Sequence, residues 1–407
     1  MKFLPNRIRT ILFLAIRYSK GRSPFLKLMN FLSTFGVFVG VCALIVVLSV
    51  MTGIRKEIRD KILGVTPHIL ITKHGGVIEN WHELVEKVEN LDGVRGVFPL
   101  IVGNAIMRKD KVSFSVVVQC IPPEYIKKAL LYERFLKDGS VFGGNKVNVG
   151  KVLAKNLDIH VGDKVLLISP YGGVTLFGFV PNSLEVEISG VVEVGIFDWD
   201  SVFVFMDLSA CDELFDTANW VSSIAVMLDD PDKSEIVSSH IEGILGEDFL
   251  AIPWTRTQKN LFSAMKLEKL GMTIILSLII VIASFNILST ITVLVRDKMK
   301  DIAILKVFGF SSWEIRFIFM GVGLWIGLRG IIIGTLGGVI ISFLISKYGI
   351  VQLPEDVYFI SRLPSELSLG DIFLSWFVAF FSSFLSSFFP VSRALKREPF
   401  EVLRREL

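Results

Sequence analysis

The chain has 407 residues, with 43 Lys and Arg against 40 Asp and Glu for a formal charge of +3, and 52% of its residues are hydrophobic, 33 of them Phe. A mean hydropathy of +0.59 lies well beyond that of a soluble domain. The composition describes a membrane protein with room for one additional folded domain, and no nucleic-acid partner is expected.

Residues 1–27 carry Lys2, Arg7, Arg9, Arg17, Lys20, Arg22 and Lys27 with no acidic residue. The apolar stretch in ILFLAIRYSKGR is short and lacks a small-residue cleavage site, so it reads as an amphipathic helix on the cytoplasmic face rather than a signal peptide. Crossing roughly 30 Å of hydrocarbon takes about 20 residues. Four segments qualify: 28–54, 270–295, 317–346 (interrupted only by Arg329) and 372–392. The positive-inside rule puts the N-terminus in the cytoplasm. By alternation the 296–316 loop, with five basic and three acidic residues, and the tail 393–407, with five and three, are cytoplasmic too. The 347–371 loop, with two basic and four acidic residues, lies outside.

Residues 55–269 therefore form an extracytoplasmic domain, flanked by the helical stalks TGIRKEIRDKIL and NLFSAMKLEKL. HILITKH (68–74) alternates like a strand, 78–93 has helical spacing with Gly93 as its stop, and the following segment reads as successive strands. From Asn148 the pattern becomes strand-rich, and after Asn219 a strand and a helix repeat the first pattern. The expectation is an α/β lobe (55–135 and 216–262) interrupted by a β-rich insertion (136–215). Within it SPYGGVTLFGFVPNS (169–183) is longer than a usual hairpin connection. It reads either as a loop packed on its own domain or as an arm offering apolar side chains to another protein. Cys42 falls in the first span. Cys120 and Cys211 are then the one exterior pair that could bridge, and because two cysteines are no framework the unpaired state is favoured.

Catalytic signatures are missing. GGNKVNVGKV (143–152) has the wrong glycine spacing for a phosphate-binding loop, the five His include no HExxH pair, no Cys pair has zinc spacing, and there is no GxSxG elbow. No catalysis, cofactor or metal site is expected of this polypeptide. Gly36 and Gly40, and Gly323, Gly327, Gly330, Gly334 and Gly337, are small-residue stripes suited to helix packing. In the last span Phe373, Phe377, Phe380, Phe381, Phe384 and Phe388 share one side and Ser375, Ala379, Ser382 and Ser386 the other. Arg329 sits near mid-bilayer, where it needs a backbone carbonyl, a lipid phosphate or another subunit.

One span, a large exterior domain and three further spans, with DIAILKVFGFSSWEIRFIF after the second and FPVSRALKREPFEVLR at the end, resemble the FtsX/MacB class of ABC-transporter permeases. LFLAIRYSKGR and FGVFVGVCALIVVLSVMTGIRKEIRDKILGVTPHI (35–69) resemble the lipoprotein-releasing LolC/LolE type within it. The resemblance implies a bacterial inner-membrane protein whose exterior lobes are a MacB-like porter and sabre. Asp301, Ala303, Ile304, Leu305, Lys306, Phe308 and Gly309 would form a coupling helix docking on a separate cytoplasmic ATPase of LolD type, which alone uses ATP and Mg. Pro170, Tyr171, Leu176, Phe177, Phe179 and Pro181 would form a hook recruiting a LolA-type periplasmic chaperone. Acyl chains of a lipoprotein would enter a cavity between paired permeases, lined by Phe38, Leu44, Val47 and Met51 of the first span and Met272, Ile275 and Ile279 of the second. The pair could be two copies or a copy and a LolE-type sister. FtsX-like activation of an exterior hydrolase and MacB- or BceB-like peptide export or sensing are the competing readings.

Overall fold

The computed structural model describes residues 6–19, 24–129, 134–175, 178–217, 220–348 and 363–394. In chain order the first elements are α1 (Asn6–Ser19), α2 (Pro24–Val65), β1 (Ile69–Lys73), β2 (Ile78–Glu79), α3 (Trp81–Glu89), β3 (Val94–Lys109), β4 (Val112–Cys120) and α4 (Pro123–Ala129). There follow β5 (Leu136–Gly139), β6 (Lys146–Gly150), α5 (Lys151–Asn156), β7 (Lys164–Thr175), β8 (Gly178–Val192), α6 (Phe197–Asp200), β9 (Phe203–Met206) and α7 (Leu208–Phe215). The last are β10 (Trp220–Val221), β11 (Ser223–Leu228), α8 (Ser234–Leu245), β12 (Phe249–Pro253), α9 (Trp254–Thr257), α10 (Lys259–Asp297), α11 (Met299–Val307), α12 (Ser312–Tyr348) and α13 (Leu369–Ala394). They fall into a helical unit, drawn from residues up to 55, 264–348 and 363–394, and a sheet unit built on residues 56–263.

In the helical unit each expected span lies inside one helix, and α2, α10, α12 and α13 are long and apolar enough to cross a membrane. Small residues set their contacts. Gly36 and Gly40 of α2 meet Ala283 and Ile280 of α10. The α12 stripe divides: Gly323 and Gly327 lie against Ser387 and Ser383 of α13, while Gly330, Gly334 and Gly338 lie against Val37, Val41 and Ile45 of α2. A β-carbon at Gly323 would overlap the Ser387 side chain. Hydroxyls bond across the same seams, Ser33 to Thr290 at 2.9 Å and Ser49 to Ser342 at 2.7 Å. Such close approach supplies the dispersion and hydrogen bonds that hold helices together where lipid removes the hydrophobic drive. In α13 the serine side is buried as its spacing implies, and Phe373, Phe377, Phe380 and Phe381 are exposed.

The sheet unit is built on β12-β1-β11-β3-β4-β9-β6-β8-β5, with β7 pairing both β3 and β8. The β3 strand belongs to two regions: residues up to Leu100 pair with β11, and from Ile101 they pair with β4 and then β7. The β-rich part therefore begins inside β3, ahead of the boundary at 136 expected from the change in pattern. Ile69, Ile71, Val97, Val118, Ile224 and Val226 are wholly buried in its core. Cys120, closing β4, is bonded to Cys211 of α7 with 6.2 Å between their α-carbons, within the range a bridge needs. This corrects the expectation of two thiols. His68, at the entry to β1, is buried and its Nδ1 accepts the Leu228 N–H at 2.9 Å. Burial pushes the imidazole down to about 4, so it is a neutral acceptor. Asp200 accepts the N–H groups of Val194 and Gly195, yet burial raises its carboxyl above the usual range.

Candidate functional site

The segment expected as one coupling helix over 296–316 is broken into three. Arg296 and Asp297 end α10, α11 stands alone, and residues from Ser312 begin α12. The break between α11 and α12 is chemical. Gly309, at φ +80°, lets its own N–H reach the Lys306 carbonyl and that of Phe310 reach Leu305, each at 3.0 Å; this is a Schellman stop. Ser311 and Glu314 then exchange bonds, Glu314 N–H to Ser311 Oγ at 3.2 Å and Ser311 N–H to Glu314 Oε2 at 2.8 Å, a capping box that starts α12. Of the residues singled out here, Ala303 is buried in the bundle, Asp301, Leu305 and Lys306 are half-buried, and Ile304 and Phe308 are 53% and 76% exposed. Val307, 73% exposed, was missed; its place three residues after Ile304 on the same helix side is the signal that finds it.

The first-span residues do not form one lining. Leu44 is wholly buried in the helical core, and Phe38 rests against Gly334 and Gly337 of α12. Val47 and Met51 are half-buried, whereas Met272, Ile275 and Ile279 of α10 are exposed. The exposed apolar face of α2 is instead Leu28, Phe31, Phe35 and Val39, and α10 adds Leu278 and Ile282. Stepping 100° per residue from Gly36 and Gly40 places Leu44 in the buried arc and Phe31 and Phe35 on the opposite side. The glycine pair was the signal.

Residues 169–175 and 178–183 pair as antiparallel strands rather than lying in a loop. From Lys164 opposite Glu187 to Ile168 opposite Ser183 the ladder is regular; it slips between Ile168 and Gly172 and resumes to Thr175 opposite Gly178. Pro170, Tyr171, Phe179 and Pro181 are exposed along this arm, with Val180 beside them. Leu176 and Phe177 lie outside the described residues. Gly172 is required because a β-carbon there would run into the Val180 carbonyl.

Arg329 is exposed on α12, its guanidinium 5.2 Å from the ring of Trp325 one turn earlier, an aromatic contact within the chain. Asp371, expected in a loop, is buried at the start of α13. It pairs with Lys269 at 2.8 Å and accepts from Thr52 at 2.8 Å, so one carboxylate joins α2, α10 and α13.

Two family models match the chain: the MacB-like periplasmic core domain over residues 30–244 and the FtsX-like permease C-terminal over 273–399. Lipoprotein-releasing system transmembrane protein LolC of Xylella fastidiosa strain Temecula1 is 31% identical, covering 97% of this chain and 98% of its own. LolC of Neisseria meningitidis serogroup B is 31% identical over the same shares. LolE of Haemophilus influenzae is 27% identical over 97% of this chain and 99% of its own.

Proposed function

The chain belongs to the lipoprotein-releasing LolC/LolE family of FtsX-like permeases, and from that premise we propose that it is the inner-membrane subunit through which a separate ATPase drives lipoproteins out of the bilayer and onto a soluble periplasmic chaperone. The observation that carries this reading is the end-to-end similarity to LolC, which takes in both membrane ends and the domain between them. The termini face the cytoplasm, following the basic residues before α2, and the sheet unit faces the periplasm.

Exposing lipoprotein acyl chains costs roughly 0.8 kcal/mol per CH₂, on the order of tens of kcal/mol for two or three chains. Release therefore needs both an apolar shelter and an energy source. Ile304, Val307 and Phe308 are the apolar contact that the ATPase grips, with Asp301 and Lys306 beside them. The exposed faces of α2 (Phe31, Phe35, Val39) and α10 (Met272, Ile275, Ile279) shelter acyl chains against a second permease. The unbroken helices α2 and α10 carry motion into the sheet unit. The β7–β8 arm, with Tyr171 and Phe179 exposed, receives the chaperone. ATP and Mg belong to the ATPase.

The test is reconstitution with the ATPase in liposomes holding a triacylated lipoprotein, scoring ATP-dependent transfer to the chaperone. Wild type transfers. Ile304→Asp with Phe308→Asp, both at exposed positions, leaves the chain folded in the membrane but abolishes transfer and co-purification of the ATPase. ATP turnover by the wild-type complex without any transfer would overturn the reading.

A further inference from the structure

We infer that Phe215 and the Cys120–Cys211 disulfide form a brace that sets the direction of the β7–β8 arm, making them positioning residues for chaperone capture; this rests on the arm being the chaperone's dock.

The arm needs a brace because its own sheet stops supporting it. β7 pairs with β3 only through Leu166, Leu167 and Ile168. Immediately beyond lies the register shift, and the outer half, Gly172–Thr175 against Gly178–Pro181, is a two-stranded ribbon. Such a ribbon is marginal alone, and a slipped ladder is a natural bending point. Whatever touches both sides of that point decides where the arm aims.

That element is α7, which packs on β3, β7 and β8. The Phe215 ring fills the space left by Gly103 of β3 and meets Tyr171 edge-on at 6.2 Å, while the Leu214 carbonyl accepts from Asn182 Nδ2 at 3.5 Å. Tyr171 and Asn182 lie on the two strands at the shift itself. α7 is in turn fixed at its start, where Asp207 accepts the N–H groups of Ser209 and Gly144, and at its middle, where Cys211 is bonded to the end of β4. Force on the arm thus passes through Tyr171 and Phe215 to α7, and through the disulfide into the central sheet. Both cysteines are wholly buried, so the bridge is shielded from soluble reductants.

The full chain with its ATPase, in liposomes, is assayed for lipoprotein release over a range of purified chaperone concentrations. In Cys120→Val with Cys211→Val, and separately in Phe215→Ala, the half-saturating chaperone concentration rises about tenfold, the scale of ordering a few side chains anew on binding. Release at saturating chaperone and ATP turnover stay at wild-type values, and Phe215→Leu, which keeps an apolar side chain over Gly103, retains most of the affinity. Asn182→Ala, a half-buried change that leaves the core untouched, gives a shift in the same direction, about twofold. An unchanged half-saturating concentration in all three overturns the brace, as does a loss of release at every concentration, which marks a folding role. If Tyr171→Ala with Phe179→Ala also docks normally, the dock itself is misassigned; if those fail while the brace variants dock normally, only the brace falls.

Discussion

Where α12 crosses α13 and α2 the contacts are made by Gly323, Gly327, Gly330 and Gly334 against serines and valines. Where β1, β11 and β3 meet they are made by Ile69, Ile71, Ile224, Val226 and Val97, all wholly buried. The two units reach tight packing by opposite means. In water, each large side chain removed from solvent contributes about 1.5–3 kcal/mol, so size is useful. In lipid that gain is absent, and what counts is how closely backbones approach. The same residue change should therefore act in opposite ways on the two units.

The sharpest way to break the contrast is to add bulk to the helical seam. Gly323→Leu places atoms where Ser387 stands, and the bundle should fail to assemble, read as loss of the chain from the membrane fraction and of a single peak in detergent gel filtration. Normal assembly would refute the packing argument. Removing bulk from the sheet, as in Ile224→Ala, should cost about 2–5 kcal/mol in denaturant titration without preventing folding.

Charge sharpens the comparison next. Asp371→Leu strands the Lys269 ammonium among α2, α10 and α13 and should cost on the order of 3 kcal/mol, seen as a lowered melting temperature in detergent. Lys269→Met added to it should recover most of that loss, because the penalty belongs to the unpaired charge.

The sheet unit has its own buried polar group in His68. Its folded value of about 4 lies below the ordinary 6.5. Between those values the unfolded chain holds a proton the fold does not, so stability falls as pH drops from about 6.5 to about 4, by about 3 kcal/mol in total, and levels off below. Urea midpoints of the sheet unit across this range should decline in wild type and stay flat in a folded His68→Asn variant. The smallest effect is expected at Lys164, whose ion pair with Glu185 is solvent-exposed on both sides; Lys164→Met should leave the urea midpoint unchanged.

The spans were legible because about 20 uncharged residues have few other uses. The stalks were legible in their helical spacing, though not that α2 and α10 run through them unbroken. The coupling segment was visible as charge between apolar runs, but the break between α11 and α12 depends on Gly309 and the Ser311 to Glu314 box, local chemistry that a charge count passes over. Leu44 was misplaced because an apolar residue reads the same whether it faces lipid or a neighbouring helix; only its angle from Gly36 and Gly40 distinguishes them. The sequence left the arm open between a packed loop and a protruding arm because its glycines and prolines suppress strand propensity, while the structure uses them at the register shift. The disulfide was hidden because residues 91 apart carry no spacing signal, and only the fold brings them together.

That separation also has a meaning in time. At roughly 5–20 residues per second, synthesis takes about 5–20 s to pass from Cys120 to Cys211. Until then Cys120 lacks the partner to which it is bonded in the finished sheet unit. A chain made without thiol oxidation should therefore behave as Cys120→Val with Cys211→Val does, folded but docking the chaperone more weakly.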